Sequence, residues 1–249
     1  MPAGRPKRSE LEKIKTLAWM QGVMNISGMG SAYAVGIAFD AMQEKRFDKY
    51  RRGVISPNIS TLNLVERRFA GTRRIYTEGP TQRVPLWPAI EGSLEDAWRS
   101  VVIYDHRFES MRLIGTDFSA RARFLIEERF RVRVQADMMA WQKGLASNVV
   151  ADFYDDILNQ GLPLPFTLDD LAALIGMWRV SMFAGAATME LRYFLMGLYP
   201  RVLPALFEPW AIDASDVIKQ LDALEKTDVQ RYFDITGKPI APVRWPTGW

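Results

Sequence analysis

Apolar residues recur at intervals of three and four along most of the chain, which is the spacing of one face of an α-helix. Short β-branched runs, such as that from Val132 to Val134, are too isolated to build a sheet. An all-α fold is therefore expected, with a small hairpin as the alternative. The segments predicted to be helical are residues 10–25, 32–42, 43–52, 59–69, 93–102, 117–130, 136–142, 148–159, 168–198 and 214–233.

Residues that begin or end helices separate the helices of the N-terminal third. Ser9 and Ser31 can cap the first two helices, and Gly53 can end the third in the left-handed conformation. Pro57 prevents that helix from continuing, and Asn58 is a good N-cap for the next. The apolar residues that this fourth helix is predicted to turn toward the core are Ile59, Leu62, Val65 and Phe69.

The third helix is short and basic. Its cations are Lys45, Arg46, Lys49, Arg51 and Arg52. Residues 1–80 contain 14 Lys and Arg against 7 Asp and Glu, a net charge of +7, whereas residues 81–249 contain 18 against 22, a net charge of −4. The first third of the chain can therefore attract phosphate groups, and a short cationic helix between two others suits the major groove of DNA. A solvated basic surface is the alternative.

The segment RFDKYRRGVISPNISTLNLVERRF, which begins at Arg46, resembles the second half of a Cro/C1-type (Xre-type) helix-turn-helix domain. In that family a recognition helix ends at a Gly, and a Pro opens the following helix. The resemblance implies that the helix of residues 43–52 lies in the major groove of double-stranded DNA, with Gly53 and Pro57 in structural roles. It implies base or phosphate contacts for Gln43, Lys45, Arg46 and Lys49. The layout as far as Pro85 to Trp87 also looks like uncharacterised bacterial proteins of mobile elements.

The first eight residues, MPAGRPKR, add a second candidate contact with DNA. Pro2, Gly4 and Pro6 prevent regular structure, and the segment resembles the Gly-Arg-Pro core of minor-groove hooks, with Arg5 as the groove residue. A charged, disordered terminus is the alternative. The residues expected to contact phosphates are Arg8, Lys13, Arg51, Arg52 and Arg67.

A boundary between two domains is predicted where glycine and proline residues cluster. These residues are Gly79, Pro80, Pro85, Pro88 and Gly92. They predict a basic domain over residues 1–78, a connector or an ordered extended segment over 79–92 that Leu86 and Trp87 could anchor, and a helical body over 93–249. The body is expected to supply dimerisation, sensing or partner binding, and its Pro-rich tail carries Trp245 and Trp249.

Signals for catalysis or metal binding are few. The chain has no Cys and a single His, His106, so it offers neither a thiolate site nor a multi-histidine site. Asp152, Asp155 and Asp156 have a helical spacing that could hold a divalent cation, but no second acidic cluster accompanies them. No phosphate-binding loop or nucleophile elbow occurs. The expectation is a cytoplasmic protein without cofactor, metal, enzymatic activity or membrane span.

These patterns predict a DNA-binding transcriptional regulator of bacterial or mobile-element type, which binds double-stranded DNA as a homodimer because one short helix reads few base pairs. A different class of protein fits the same helices. It is a non-catalytic adaptor, associated with mobile elements or defence, whose N-terminal domain binds protein. A weaker third alternative is a metal-dependent enzyme that uses the Asp152 cluster.

Overall fold

The computed structural model of the chain describes residues 8–39, 44–109, 165–184 and 202–238, and the single positions 191, 195 and 198. These residues form helices and no strand, which confirms the all-α prediction. The α-helices are α1 (Glu10–Ser27), α2 (Ala32–Phe39), α3 (Glu44–Arg51), α4 (Ile59–Arg68), α5 (Thr72–Thr77), α6 (Leu86–Glu91), α7 (Leu94–Tyr104), α8 (Leu168–Ala184), α9 (Val202–Phe207) and α10 (Ala214–Thr236). In the described part of the chain, 3-10 helices also cover His106–Phe108 and Glu208–Trp210.

Local capping interactions begin several helices at the residues that the sequence predicted. The side chain of Ser9 accepts a hydrogen bond from the backbone of α1 at 3.1 Å, and that of Asn58 accepts one from α4 at 2.8 Å. Thr167 and Asp170 form a reciprocal pair at the start of α8, with side-chain to backbone distances of 3.2 and 2.8 Å. Each cap satisfies backbone N–H groups that lack a partner within the helix.

The chain divides into two compact units. The first comprises Met1–Thr81 and Phe207–Gln220, and the second comprises Gln82–Leu206 and Leu221–Trp249. The first unit thus includes a late segment that no local pattern had linked to the N-terminal helices. Within the described part of the chain, no helix is both long enough and apolar enough to cross a membrane.

An aromatic cluster forms the core of the first unit. Trp19 of α1 is fully buried, and its ring centroid lies 5.4 Å from that of Tyr50 and 6.4 Å from that of Phe47, both on α3. Leu62 of α4 is also part of this core. Ile59 was expected to join it but is 56% exposed, because it lies at the first position of α4, to one side of the packed face.

The Pro- and Gly-rich segment of the second unit contains a helix. Residues 79–92 were expected to be a connector or an ordered extended segment. The helix α6 forms within them and fully buries Leu86 and Trp87, which differs from the extended alternative. Pro85 precedes α6, and Pro88 lies in its first turn, where a backbone N–H would have no partner within the helix. The two prolines are therefore compatible with a helix that starts between them.

A buried ion pair connects three segments of the second unit. Arg179 of α8 is 1% exposed, and its Nε lies 2.8 Å from Oδ2 of the fully buried Asp228. The same guanidinium donates to the carbonyl oxygens of Ala89 and Gly92, each at 2.9 Å. The charge and the donors of this arginine are thus satisfied inside the protein, as a buried ion requires.

Candidate nucleic-acid interface

The basic helix α3 ends at Gly53, as the sequence predicted. Gly53 has a φ of 64°, and the backbone N–H of Val54 bonds to the carbonyl of Lys49 at 2.9 Å, which closes the helix. A Cβ atom at this position would lie 2.9 Å from the side chain of Lys13. Positive φ and close packing therefore both favour glycine where α3 stops.

The buried side of α3 determines which residues face outward. Phe47 is 2% exposed and Tyr50 is fully buried, so both anchor α3 in the core of the first unit. At 100° per residue the opposite side of the helix carries residues 45, 48, 49 and 52. Lys45, Lys49 and Arg52 are indeed exposed. We call these three cations, together with Asp48, the cationic face of α3.

The cations on and beside this face differ in how far other side chains engage them. Among the described residues, Lys45, Lys49 and Arg51 form no salt bridge and are free to bind an anion. Arg52 pairs with the carboxylate of Asp48 at 2.8 Å. Arg46 lies beside the face, with its guanidinium 5.9 Å from the ring centroid of Tyr50. At least two ammonium groups, those of Lys45 and Lys49, are therefore available to bind phosphate.

Arg8, which was expected to contact phosphate, is held by the protein instead. Its guanidinium donates to the carbonyl of Gly53, to the carbonyl of Glu12 at 2.7 Å and to the hydroxyl of Thr16 at 2.6 Å. Partial burial lowers the pKa of Arg8. The nearby carboxylate of Glu12 acts in the opposite direction but does not offset this effect. The side chain joins the end of α3 to α1 through these hydrogen bonds, and its role as a phosphate contact stays a prediction.

Lys13 is also engaged with carboxylates. Its Nζ lies 2.5 Å from Glu10 and 3.6 Å from Asp216 of α10. The hydrogen bond with Glu10 raises the pKa of Lys13, and a hydrogen bond from Lys219 lowers that of Asp216. A phosphate would have to compete with two carboxylates for this ammonium, and phosphate contact by Lys13 stays a prediction.

The remaining candidates lie apart from α3 or outside the described residues. Arg67 is exposed on the side of α4 that faces away from Leu62 and Val65, and its Nε donates to the carbonyl of Asn63 at 3.4 Å. Arg5 and Gln43, and the proposed metal ligands Asp152, Asp155 and Asp156, lie outside the described residues, as do the helices expected over residues 117–130, 136–142 and 148–159.

Arg68 supports the interface, a role that the sequence did not indicate. Its guanidinium donates to the carbonyl of Ala38 at the end of α2 and lies 5.4 Å from the ring centroid of Phe39. Phe39 in turn stacks on Phe47 of α3 at 5.5 Å. Arg68 therefore connects α4 to the helix pair α2 and α3. No signal marks it in the sequence, because its partners lie about 30 residues away.

Glu66 joins α4 to the start of α5, a second role that the sequence did not indicate. Its carboxylate accepts hydrogen bonds from the backbone N–H of Arg73 at 2.7 Å and of Gly71 at 2.8 Å, so it caps α5. Burial raises the pKa of Glu66, but the two backbone hydrogen bonds outweigh that effect and leave the pKa below its ordinary value. The sequence gives no sign of this role. A capping side chain usually belongs to the residue just before the helix, whereas Glu66 lies farther back along the chain, on α4.

The described residues hold few groups suited to catalysis or metal binding. His106 is exposed in the first 3-10 helix, and the neighbouring carboxylate of Asp105 pairs with Arg107 at 2.8 Å. No group of three or more His, Cys, Asp or Glu side chains converges in the described part of the chain. The cationic face of α3 is consequently the strongest candidate site there.

Searches against models of known protein families, against characterised proteins and against solved structures gave no match. The resemblance to a helix-turn-helix domain therefore stays a prediction. The case for a function rests on the geometry and charge of α3 and its neighbours.

Proposed function

We propose that this protein is a DNA-binding transcriptional regulator of bacterial or mobile-element type and that α3 enters the major groove of double-stranded DNA. The observation that carries the proposal is the cationic face of α3, where Lys45 and Lys49 are exposed and unpaired among the described residues. Buried Phe47 and Tyr50 anchor the opposite side. A short helix held rigidly by its inner face can present its outer face to a groove.

The arrangement of α2 and α3 supports this proposal. Each helix has eight residues, and four residues separate Phe39 from Glu44. The two helices pack against each other, with Phe39 stacked on Phe47. Two short packed helices joined by about four residues are the parts of a helix-turn-helix. The first helix of such a pair crosses the phosphate backbone while the second enters the groove.

Phosphate binding would supply most of the affinity. Each ammonium or guanidinium that neutralises a phosphate releases a condensed counterion, and this release favours binding most strongly at low salt. Lys45, Lys49 and Arg51 are the cations available for it without breaking an ion pair of the described residues. Sequence preference would come from side chains that reach base edges, for which Arg46 and Gln43 stay candidates.

Two copies of the chain would be needed for a specific site. A helix of eight residues such as α3 is only about 12 Å long, which spans few base pairs. In a dimer, two such helices would lie about 34 Å apart, on successive turns of the major groove. We propose that the larger helical unit supplies this dimerisation, or the sensing or partner binding that regulates it.

Fluorescence anisotropy with labelled random duplex DNA at low salt tests the proposal. We expect Lys45→Ala with Lys49→Ala to lower affinity at least about tenfold, since two phosphate contacts are lost. The matched control is Lys219→Ala with Lys226→Ala, which removes two exposed lysines of α10 that pair with Asp216 and Asp222. Equal affinities for both double variants would contradict the proposal.

A protein-binding adaptor is the second candidate, and exposed apolar side chains favour it. Tyr33 and Ile37 lie four residues apart on one side of α2 and are 58% and 48% exposed. Ile26 near the end of α1 is 46% exposed. If the chain binds a protein through these residues, the association would survive high salt and weaken on Tyr33→Ser with Ile37→Ser. DNA binding that is strong and salt-sensitive, and unaffected by these changes, would argue against the adaptor.

A further inference from the structure

A carboxylate lies within the cationic face of α3. The side chain of Asp48 is 51% exposed, one turn from both Lys45 and Arg52, and its Oδ2 lies 2.8 Å from a guanidinium nitrogen of Arg52. An exposed ion pair at this spacing contributes little to stability. A negative charge at this place also opposes binding to phosphate. Neither fold stability nor general attraction to DNA therefore explains why Asp48 is there.

We infer that Asp48 and Arg52 act together as a reader of one G·C base pair, an inference that rests on the proposed function. In the major groove guanine presents two acceptors, N7 and O6, and cytosine presents the donor N4. A guanidinium supplies a fork of donors and a carboxylate supplies acceptors, so the pair offers the complement of that edge.

The geometry of the pair suits this reading. Residues four apart lie on one side of a helix with their Cβ atoms about 6 Å apart, so both side chains can reach a single base pair. A carboxylate has about four acceptor sites, and the contact with Arg52 leaves others for cytosine N4. The ion pair also holds the guanidinium in place before DNA arrives, which reduces the entropy lost on binding. An A·T pair matches less well: a carboxylate could accept from adenine N6, but the guanidinium fork would find one purine acceptor, N7, where guanine presents two.

Selection from a pool of random duplexes, followed by sequencing, tests the inference with the full-length protein. We expect the wild type to select a site with one fixed G·C pair, and replacement of that pair by A·T to weaken binding between about 5-fold and 150-fold. Asp48→Ala and Arg52→Ala should each remove the preference at this one position. Asp48→Ala should bind random duplex at least as tightly as the wild type, because a negative charge has been removed.

A matched control exists at the end of α5, where Glu78 directly follows the helix. Arg74 and Glu78 form an ion pair of the same spacing, the same 2.8 Å separation and similar exposure, 41% and 43%. Glu78→Ala should leave the selected site unchanged. An unchanged G·C preference in Asp48→Ala, or equal weakening on every sequence, would overturn the inference but leave the proposed function standing. A wild type that binds no duplex at low salt would overturn both.

Discussion

Arg179 of the second unit and the two lysines of α3 in the first unit use their positive charges in opposite ways. In the second unit Arg179 is buried, and its guanidinium is matched by Asp228 and two carbonyl oxygens. In the first unit Lys45 and Lys49 are exposed and have no salt-bridge partner among the described residues. The difference separates charges that support the fold from charges that remain available to a ligand. Exposed cations can be removed at little expense in stability, whereas a buried one cannot.

The largest effect is expected at the buried pair. Arg179→Ala should lower the free energy of unfolding by about 3–5 kcal/mol, because Asp228 would remain buried without a counterion. Urea unfolding followed by tryptophan fluorescence measures this change. Arg179→Met with Asp228→Leu should recover most of the loss. A decrease below about 1 kcal/mol for Arg179→Ala would mean that the pair is not buried in solution.

Arg8 tests whether an arginine of the first unit can behave like Arg179. Arg8→Ala should lower the free energy of unfolding by about 1–2 kcal/mol, because hydrogen bonds to Gly53, Glu12 and Thr16 are lost. Arg8→Lys should not restore stability, since an ammonium lacks the planar fork. If Arg8→Ala left the free energy of unfolding unchanged but lowered the affinity for DNA, Arg8 would be a DNA contact and would not resemble Arg179.

The carboxylate cap of α5 gives a smaller effect that depends on pH. At pH 7, Glu66→Gln should lower the free energy of unfolding by about 1 kcal/mol, the usual contribution of a cap. Because the folded pKa of Glu66 is lowered, its contribution is present above the unfolded pKa of about 4.3 and disappears as pH falls through the folded value. The difference in the free energy of unfolding between the two proteins should therefore be complete at pH 7 and should shrink as the pH is lowered below about 4.3. A difference that does not shrink with decreasing pH would contradict this account.

The smallest effect concerns an unsatisfied group beneath the candidate interface. The hydroxyl of Tyr50 and the indole N–H of Trp19 are buried without a hydrogen-bond partner among the described residues. Tyr50→Phe keeps the ring contacts and removes one of these groups, so stability should stay the same or rise by up to about 1 kcal/mol. Thermal unfolding checks this expectation. A clear loss of stability would show that the hydroxyl has a partner in solution.

Local signals were sufficient to predict much of the fold. Ser9, Asn58 and the pair Thr167 and Asp170 cap helices as expected, because each contact joins residues within one turn. Gly53 ends α3 for an equally local reason. The helix α6 is the exception. Its prolines suggested an extended segment, but a proline in the first turn of a helix is compatible with helical structure.

The candidate site was only partly predictable. The basic character of α3 is a property of a few consecutive residues, so Lys45 and Lys49 could be found from the sequence. The roles of Arg8 and Lys13 depend on the carbonyl of Gly53 and the carboxylate of Asp216, which are distant along the chain. A cation that attracts phosphate and one that binds a distant internal acceptor look alike in a sequence, and only packing separates them.

The central claim is that the cationic face of α3 binds the phosphates of duplex DNA. Its most direct test is the affinity of the full-length wild type for random duplex between about 50 and 300 mM salt. If Lys45, Lys49 and one or two neighbouring arginines neutralise phosphates, the logarithm of the association constant should fall linearly with that of the salt concentration, with a slope of about −2 to −4. Binding that is absent at low salt, or that does not change with salt, would contradict the claim.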